Sequence, residues 1–149
     1  MLTILVANGV NLDLLGRREQ EHYGSFTLQD LEDSLQLWAG KFSALLDIGK
    51  PKLVFLQSND ECTFLEKLSA NWDGVLLNPG AWTHTSLALA DRLQSLPHIP
   101  YVEVHISNIR KRRRRSYCAD NALAVVCGAG MDSYLAGLYV LLKHLAHAD

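Results

Sequence analysis

Cysteine is scarce in this chain. Cys62, Cys118 and Cys127 are the only three in 149 residues, and they form neither a CxxC pair nor an even framework. A disulfide scaffold is therefore not expected, and a reducing, cytoplasmic setting is. Long apolar runs are also missing: none approaches the roughly 18 residues that a membrane helix needs. Met1-Leu2-Thr3-Ile4-Leu5-Val6-Ala7 lacks a basic leader and meets polar residues at once, so it reads as a strand and not as a signal peptide. The chemical motifs of the commonest enzyme classes are absent too. There is no GxSxG elbow, no HExxH metal spacing, and no GxGxxG or P-loop after the first apolar run. With no internal repeat and no linker, residues 1–149 are expected to form one domain.

What is present is apolar, since 48% of the residues are hydrophobic, enough for a sizeable core. The net charge of -2 hides an asymmetry. Arg110, Lys111, Arg112, Arg113, Arg114 and Arg115 are six of the fourteen basic residues, so the rest of the chain is acidic. Such a run either docks a polyanion or lies in a solvated loop whose arginines meet a small anionic substrate. No RNA-stacking motif accompanies it, so nucleic acid is not the expected partner.

Apolar runs and amphipathic stretches alternate. Strands are expected at Thr3 to Ala7, Leu53 to Leu56, Val75 to Leu77, Tyr101 to Val104 and Leu123 to Cys127. Thr27 can cap a helix with Asp30 at the third following position, and Leu28, Leu31, Leu35, Trp38, Phe42 and Leu45 mark its inward face. Further helices are expected at Cys62 to Ala70, at Ser86 to Leu96 before Pro97 and Pro100, and after Gly128-Ala129-Gly130. The last carries Leu135, Leu138, Leu142 and Leu145 inward, and its glycines read as a packing turn rather than a phosphate loop. The alternation predicts an α/β fold, a flavodoxin-like three-layer sandwich with a five-stranded parallel sheet. Asn8 to Ser25 is a long polar loop, the kind that tends to be functional.

Four polar clusters follow the first four strands and would share one rim of the sheet, where ligands bind in open α/β folds. Asn78-Pro79-Gly80-Ala81-Trp82-Thr83-His84-Thr85-Ser86 is the densest of them. A plain strand-to-helix turn does not need an amide, an imidazole and an aromatic together. The available groups suit proton transfer, which requires an acid, a base and dipoles for developing charge. Tyr23 is a base only as phenolate, and a neighbouring guanidinium favours that form. On local sequence alone, the better reading of Tyr23 is an aromatic that pins a surface loop. Glu103 and His105 are two apart, so on a strand they share a face and the carboxylate could orient the imidazole. An ordinary strand-end pair fits equally well. His98, His144 and His147 read as solvated.

Together these segments resemble type II 3-dehydroquinate dehydratases, in family order and over almost the whole chain. Asn8-Gly9-Val10-Asn11-Leu12-Asp13-Leu14-Leu15-Gly16 resembles N-G-P-N-L-N-L-L-G, and Arg18 to Gly24 resembles R-E-P-E-x-Y-G. Gln57 to Glu61 resembles Q-S-N-H-E, Asn78 to Ser86 resembles N-P-G-A-(Y/W/F)-T-H-T-S, and Glu103 to Asn108 resembles E-V-H-(L/I)-S-N. The resemblance implies dehydration of 3-dehydroquinate to 3-dehydroshikimate through an enolate, with no metal, cofactor or Schiff base. It implies Tyr23 as the base, Arg18 as its guanidinium, and Asn11 as holder of the enolate-stabilising water. His105, oriented by Glu103, would be the acid. Asn78 and His84 would bind substrate hydroxyls, and Ile106 and Ser107 its carboxylate. Asp91 would reach a neighbouring subunit's site, in trimers assembled to a dodecamer.

Val10, Gln20, Asp60 and Cys62 depart from the family pattern. A larger departure follows Asn108. The family runs H-(L/I)-S-N-x-x-x-R-E-x-F-R-x-H-S-Y, with one arginine supporting the lid and one contacting substrate. Here Ser116 follows His105 too soon: counting forward from His105 gives Arg112 for the first arginine, and counting back from Ser116 gives Arg113 for the second. Two other readings therefore stand beside an active dehydratase. One is a divergent relative with another substrate or little activity, and the other is a polyanion-binding module built on the arginine run.

Overall fold

The computed structural model describes residues 1–148. Strands β1 (Thr3–Asn8), β2 (Lys52–Gln57), β3 (Gly74–Asn78), β4 (Tyr101–His105) and β5 (Ala124–Cys127) form one parallel sheet in the order β2-β1-β3-β4-β5. Helices α2 (Leu28–Leu46), α3 (Glu61–Leu68), α5 (Leu87–Gln94) and α6 (Met131–Ala146) flank it, with two single-turn helices, α1 (Gln20–Tyr23) and α4 (Trp82–Thr85), on one rim. No helix among the described residues is long and apolar enough to cross a membrane.

The three layers follow from period-two alternation within strands that are apolar on both faces. In β1, Ile4 and Val6 pack with Leu31, Leu35, Leu138 and Leu142 of α2 and α6. Leu5 and Ala7 face the other way, into Phe64, Leu68, Leu89 and Leu93 of α3 and α5. The expected cap of α2 is present as a reciprocal box: Asp30 N donates to Thr27 Oγ1 at 3.1 Å and Thr27 N to Asp30 Oδ2 at 2.9 Å.

The expected inward faces need correction. Leu45 is 70% exposed, because the buried stripe of α2 runs Leu31, Leu35, Ala39, Ser43. Each four-residue step rotates that stripe by roughly 40°, so by the last turn Leu45 faces water. In α6 the fully buried residues include Tyr134 and Leu141, while Leu135 and Leu145 pack only at the margin. The Asn8 to Ser25 segment is not structureless. A 3-10 turn at Leu12–Leu14 and helix α1 shape it, and buried Leu12 and Leu15 pin it to the core. Asn8, Gln57, Asn78 and His105 are the last residues of β1 to β4 rather than loop residues, so the sheet itself aims them.

The chain order reverses at β1 and β3, and ligand crevices open at such switch points. Here the two strand ends lie in register, Asn8 beside Asn78, and the turns beyond them interlock. A Cβ on Gly9 would lie 2.4 Å from Pro79 O, and one on Gly80, whose φ is +62°, would lie 2.6 Å from Val10 O. Only glycine allows either approach.

Gly137 lets α6 settle onto the sheet, since a Cβ there would meet Val104 Cγ1 at 2.6 Å and Leu76 Cδ1 at 2.9 Å. Alanine would gain roughly 1 kcal/mol in helix propensity. Overpacking against a stiff β-branched residue in a central strand costs about 1–3 kcal/mol. Gly137→Ala is therefore expected to lower the urea midpoint, and an equal or higher midpoint would show that α6 lifts freely.

Candidate active site

The strand ends floor a polar cleft that opens to solvent, lined by residues from β3, β4 and the loops around them. Its floor is braced by a buried hydroxyl. Tyr134 Oη donates to Asn8 Oδ1 at 2.6 Å and accepts from Asn78 Nδ2 at 2.7 Å. Complete burial pushes the Tyr134 phenol well above its ordinary range, so it stays a donor. Asn78 Oδ1 accepts Gly80 N at 3.1 Å. Both ends of that amide are thus oriented, leaving one N–H free to face the cleft.

One wall belongs to Tyr23. Arg18 Cζ lies 3.8 Å from the centre of its ring, and Arg112 Nη1 donates to its Oη at 2.9 Å and to Ser107 Oγ at 3.2 Å. One guanidinium thus covers the ring face and the other donates to the phenolic oxygen. The aim of Arg112 comes from its loop: Asn108 Oδ1 accepts the backbone N–H groups of Arg110 and Lys111, and Arg113 turns the chain at φ +55°. Asn11, at φ +67°, lines the mouth, with its own N–H bonded to Asn59 Oδ1 at 2.8 Å.

The facing wall is β4. Glu103 has no exposed surface and accepts His105 Nε2 at 2.5 Å, Thr83 Oγ1 at 2.6 Å and Ser116 Oγ at 2.7 Å. Burial alone would raise the Glu103 carboxyl, but the bonds from His105, Thr83 and Ser116 outweigh it and hold the group below its ordinary range. A carboxylate only accepts, so His105 Nε2 carries hydrogen and Nδ1 is the nitrogen left for the cleft. His84 stacks 6.3 Å from His105. Its Nδ1 lies 2.6 Å from the carbonyl oxygen of Arg115, which fixes Nδ1 as the donor and leaves Nε2 an acceptor.

Asn11, Arg18, Tyr23, Asn78, His84, His105, Ile106, Ser107 and Arg112 all line this one cleft, with Glu103 directly behind His105. Asp91 lies exposed on α5 and Arg113 exposed at the tip of its loop, both outside the lining. Arg114 does line it and was not anticipated. Nothing in a run of like residues tells which cation turns inward. Thr83 and Ser116 were also missed as supports of Glu103. Among the described residues no three His, Cys, Asp or Glu side chains converge as a metal site would.

Burial lowers the His84 imidazole, opposed by its bond to the Arg115 carbonyl and reinforced by the nearby His105, Arg114 and Arg112. Nitrogen-15 NMR is expected to show His84 as the Nδ1–H tautomer at neutral pH, protonating only below the ordinary histidine range. A midpoint at or above that range would contradict this environment.

The chain is similar to known proteins over nearly its whole length. A family model described as dehydroquinase class II matches residues 2–142. The 3-dehydroquinate dehydratase of Prochlorococcus marinus is 41% identical over 150 residues, covering 97% of this chain and 98% of that one. That of Geotalea daltonii is also 41% identical, covering 97% and 99%. The crystal structure of type II dehydroquinase from Propionibacterium acnes has a TM-score of 0.83 at 32% identity, covering 98% of this chain and 97% of that chain. The Butyrivibrio crossotus enzyme has a TM-score of 0.82 at 31% identity, covering 95% and 97%. With the family model matching residues 2–142 and relatives similar over nearly the whole chain in sequence and in fold, this chain belongs to the class II dehydroquinase family.

Proposed function

We propose that this protein, a carbon–oxygen lyase acting as a single domain, dehydrates 3-dehydroquinate to 3-dehydroshikimate through an enolate, with Tyr23 as base and His105 as acid. One observation carries the assignment: a phenol with one guanidinium over its ring and another bonded to its oxygen lines the same cleft as an imidazole backed by a buried carboxylate. Proton abstraction beside a ketone and expulsion of a β-hydroxyl need a base and an acid in one site.

Tyr23 as phenolate removes the proton beside the ketone, and the electron pair moves onto the ketone oxygen. Asn11, through a water, stabilises that enolate. The enolate then re-forms the carbonyl and expels the β-hydroxyl, which leaves as water with the proton from His105 Nδ1. Tyr23 ends protonated and His105 neutral, so a proton must return between them or through solvent before the next turnover. Asn78 and neutral His84 bind substrate hydroxyls, Nε2 of His84 accepting. Ile106 and Ser107 receive the carboxylate at the end of β4, with Arg112 beside them. Asp91, exposed on α5, is assigned to the cleft of a neighbouring copy in trimers assembled to a dodecamer. The reaction belongs to the shikimate pathway, in the cytoplasm.

One competing reading has an observation behind it. Arg110, Lys111, Arg113, Arg114 and Arg115 are exposed, and none forms an ion pair among the described residues. A polyanion surface would have the same appearance.

Tyr23→Phe is expected to reduce turnover by about 10²–10⁴-fold, with substrate binding and fold retained. Near-normal turnover would remove Tyr23 from the mechanism. An alanine series through the run, assayed for dehydration and for salt-dependent nucleic-acid binding, separates the other readings. Arg112→Ala is expected to lose roughly ten- to hundredfold in activity, the worth of a hydrogen bond to a charged group. Arg110→Ala and Arg113→Ala are expected to stay near normal. A flat series with tight polyanion binding and no dehydration would favour the competing reading.

A further inference from the structure

Resting on the Tyr23–His105 mechanism above, we propose that Ser116 is a positioning residue for the acid: its hydroxyl is locked as a donor to Glu103, keeping that carboxylate ionised and His105 in one tautomer. Hydrogen-bond inventory leads to this assignment. A serine hydroxyl has one hydrogen and two lone pairs. Both lone pairs of Ser116 are taken, by the backbone N–H groups of Cys118 and Ala119 at 3.1 Å each. The remaining hydrogen points at the carboxylate, 2.7 Å from Oε1 and 2.9 Å from Oε2. Thr83 Oγ1 is 2.8 Å from Ser116 Oγ, but its hydrogen goes to Glu103 Oε1 at 2.6 Å. Neither hydroxyl has a hydrogen for the other, and Ser116 has no lone pair to receive one from a protonated Glu103.

The same residue ends the arginine run. Tyr117 N donates to Thr83 O at 2.8 Å, and His84 holds the Arg115 carbonyl, so both sides of Ser116 are tied to helix α4. Ser116 is thereby anchored on its own, apart from the turn through Arg113 at φ +55°. Other groups facing this pair are Tyr101 on β4, Cys118 behind it, His84 stacked on His105, and Arg112 and Arg114 across the cleft. Tyr101 and Cys118 are both pushed upward, chiefly by burial, the thiol to about 12, so neither competes as an anion.

The sign follows from the direction at Glu103. Its donors keep it ionised to lower pH than an ordinary glutamate, so removing one lets it protonate at higher pH. Carboxyl carbon-13 NMR of Ser116→Ala is expected to show the Glu103 midpoint moved up. The acid limb of its kcat profile should move in the same direction, with kcat about tenfold lower and KM nearly unchanged. Ser116→Thr, which keeps the hydroxyl, restores both. Thr83→Val, which removes a donor from the other side, shifts Glu103 in the same direction should the alanine variant fail to fold. If Glu103→Gln impairs kcat while Ser116→Ala and Thr83→Val leave the Glu103 midpoint and kcat unchanged, the role of Ser116 is overturned and the acid assignment stands. If Glu103→Gln and His105→Ala both leave kcat intact, the acid assignment fails and the role of Ser116 with it.

Discussion

A carboxylate without contact to water sits at the centre of this molecule's chemistry. Burying an unpaired carboxylate costs several kcal/mol, so Glu103 is tolerable only where donors converge on it. Those donors come from three places: His105 on its own strand, Thr83 in the short helix α4, and Ser116 at the end of the arginine loop. Satisfying one charge therefore fixes the relative position of a strand, a short helix and a loop. Removing any single partner would leave a buried charge short of a bond, which destabilises more than the bond itself is worth.

The opposite wall is organised by the reverse charge. Arg18 and Arg112 surround one phenol, and Arg114 faces the same space. The cleft thus holds cations around Tyr23 and a single anion behind His105. A small carboxylate substrate would be drawn to the first and never meet the second. Between them the Tyr134 hydroxyl ties the ends of β1 and β3, so the amides of Asn8 and Asn78 are set before any ligand arrives. Such preorganisation costs nothing at the moment of reaction.

Much of this was legible along the chain. Strands β1, β3 and β4 are buried on both faces and therefore read as continuous apolar runs, and the box from Thr27 to Asp30 marks a helix start by local rules. Glu103 and His105 were paired by period two alone. Leu45 was misplaced because a helix crossing a twisted sheet does not bury one fixed stripe. Thr83 and Ser116 were invisible as partners of Glu103, being 20 and 13 residues away in sequence and brought together only by packing. Both hydroxyls lay inside recognisable segments, but a hydroxyl carries no mark of which acceptor it will meet.

Sequence alone settled what is encoded within a few residues: the alternation that builds a parallel sheet, the polar strand ends gathered on its rim, and the kit of amides, imidazoles and one loop tyrosine. Periodicity and turn chemistry are local, so one dimension is enough to read them. Which arginines of the run turn into the cleft was decided only in three dimensions. Counting along the chain offered Arg112 and Arg113, and the fold turned Arg112 and Arg114 inward and left Arg113 at the tip. The reason is physical: six adjacent cations are chemically alike, and their directions depend on where Asn108 and Ser116 anchor the two ends of their loop.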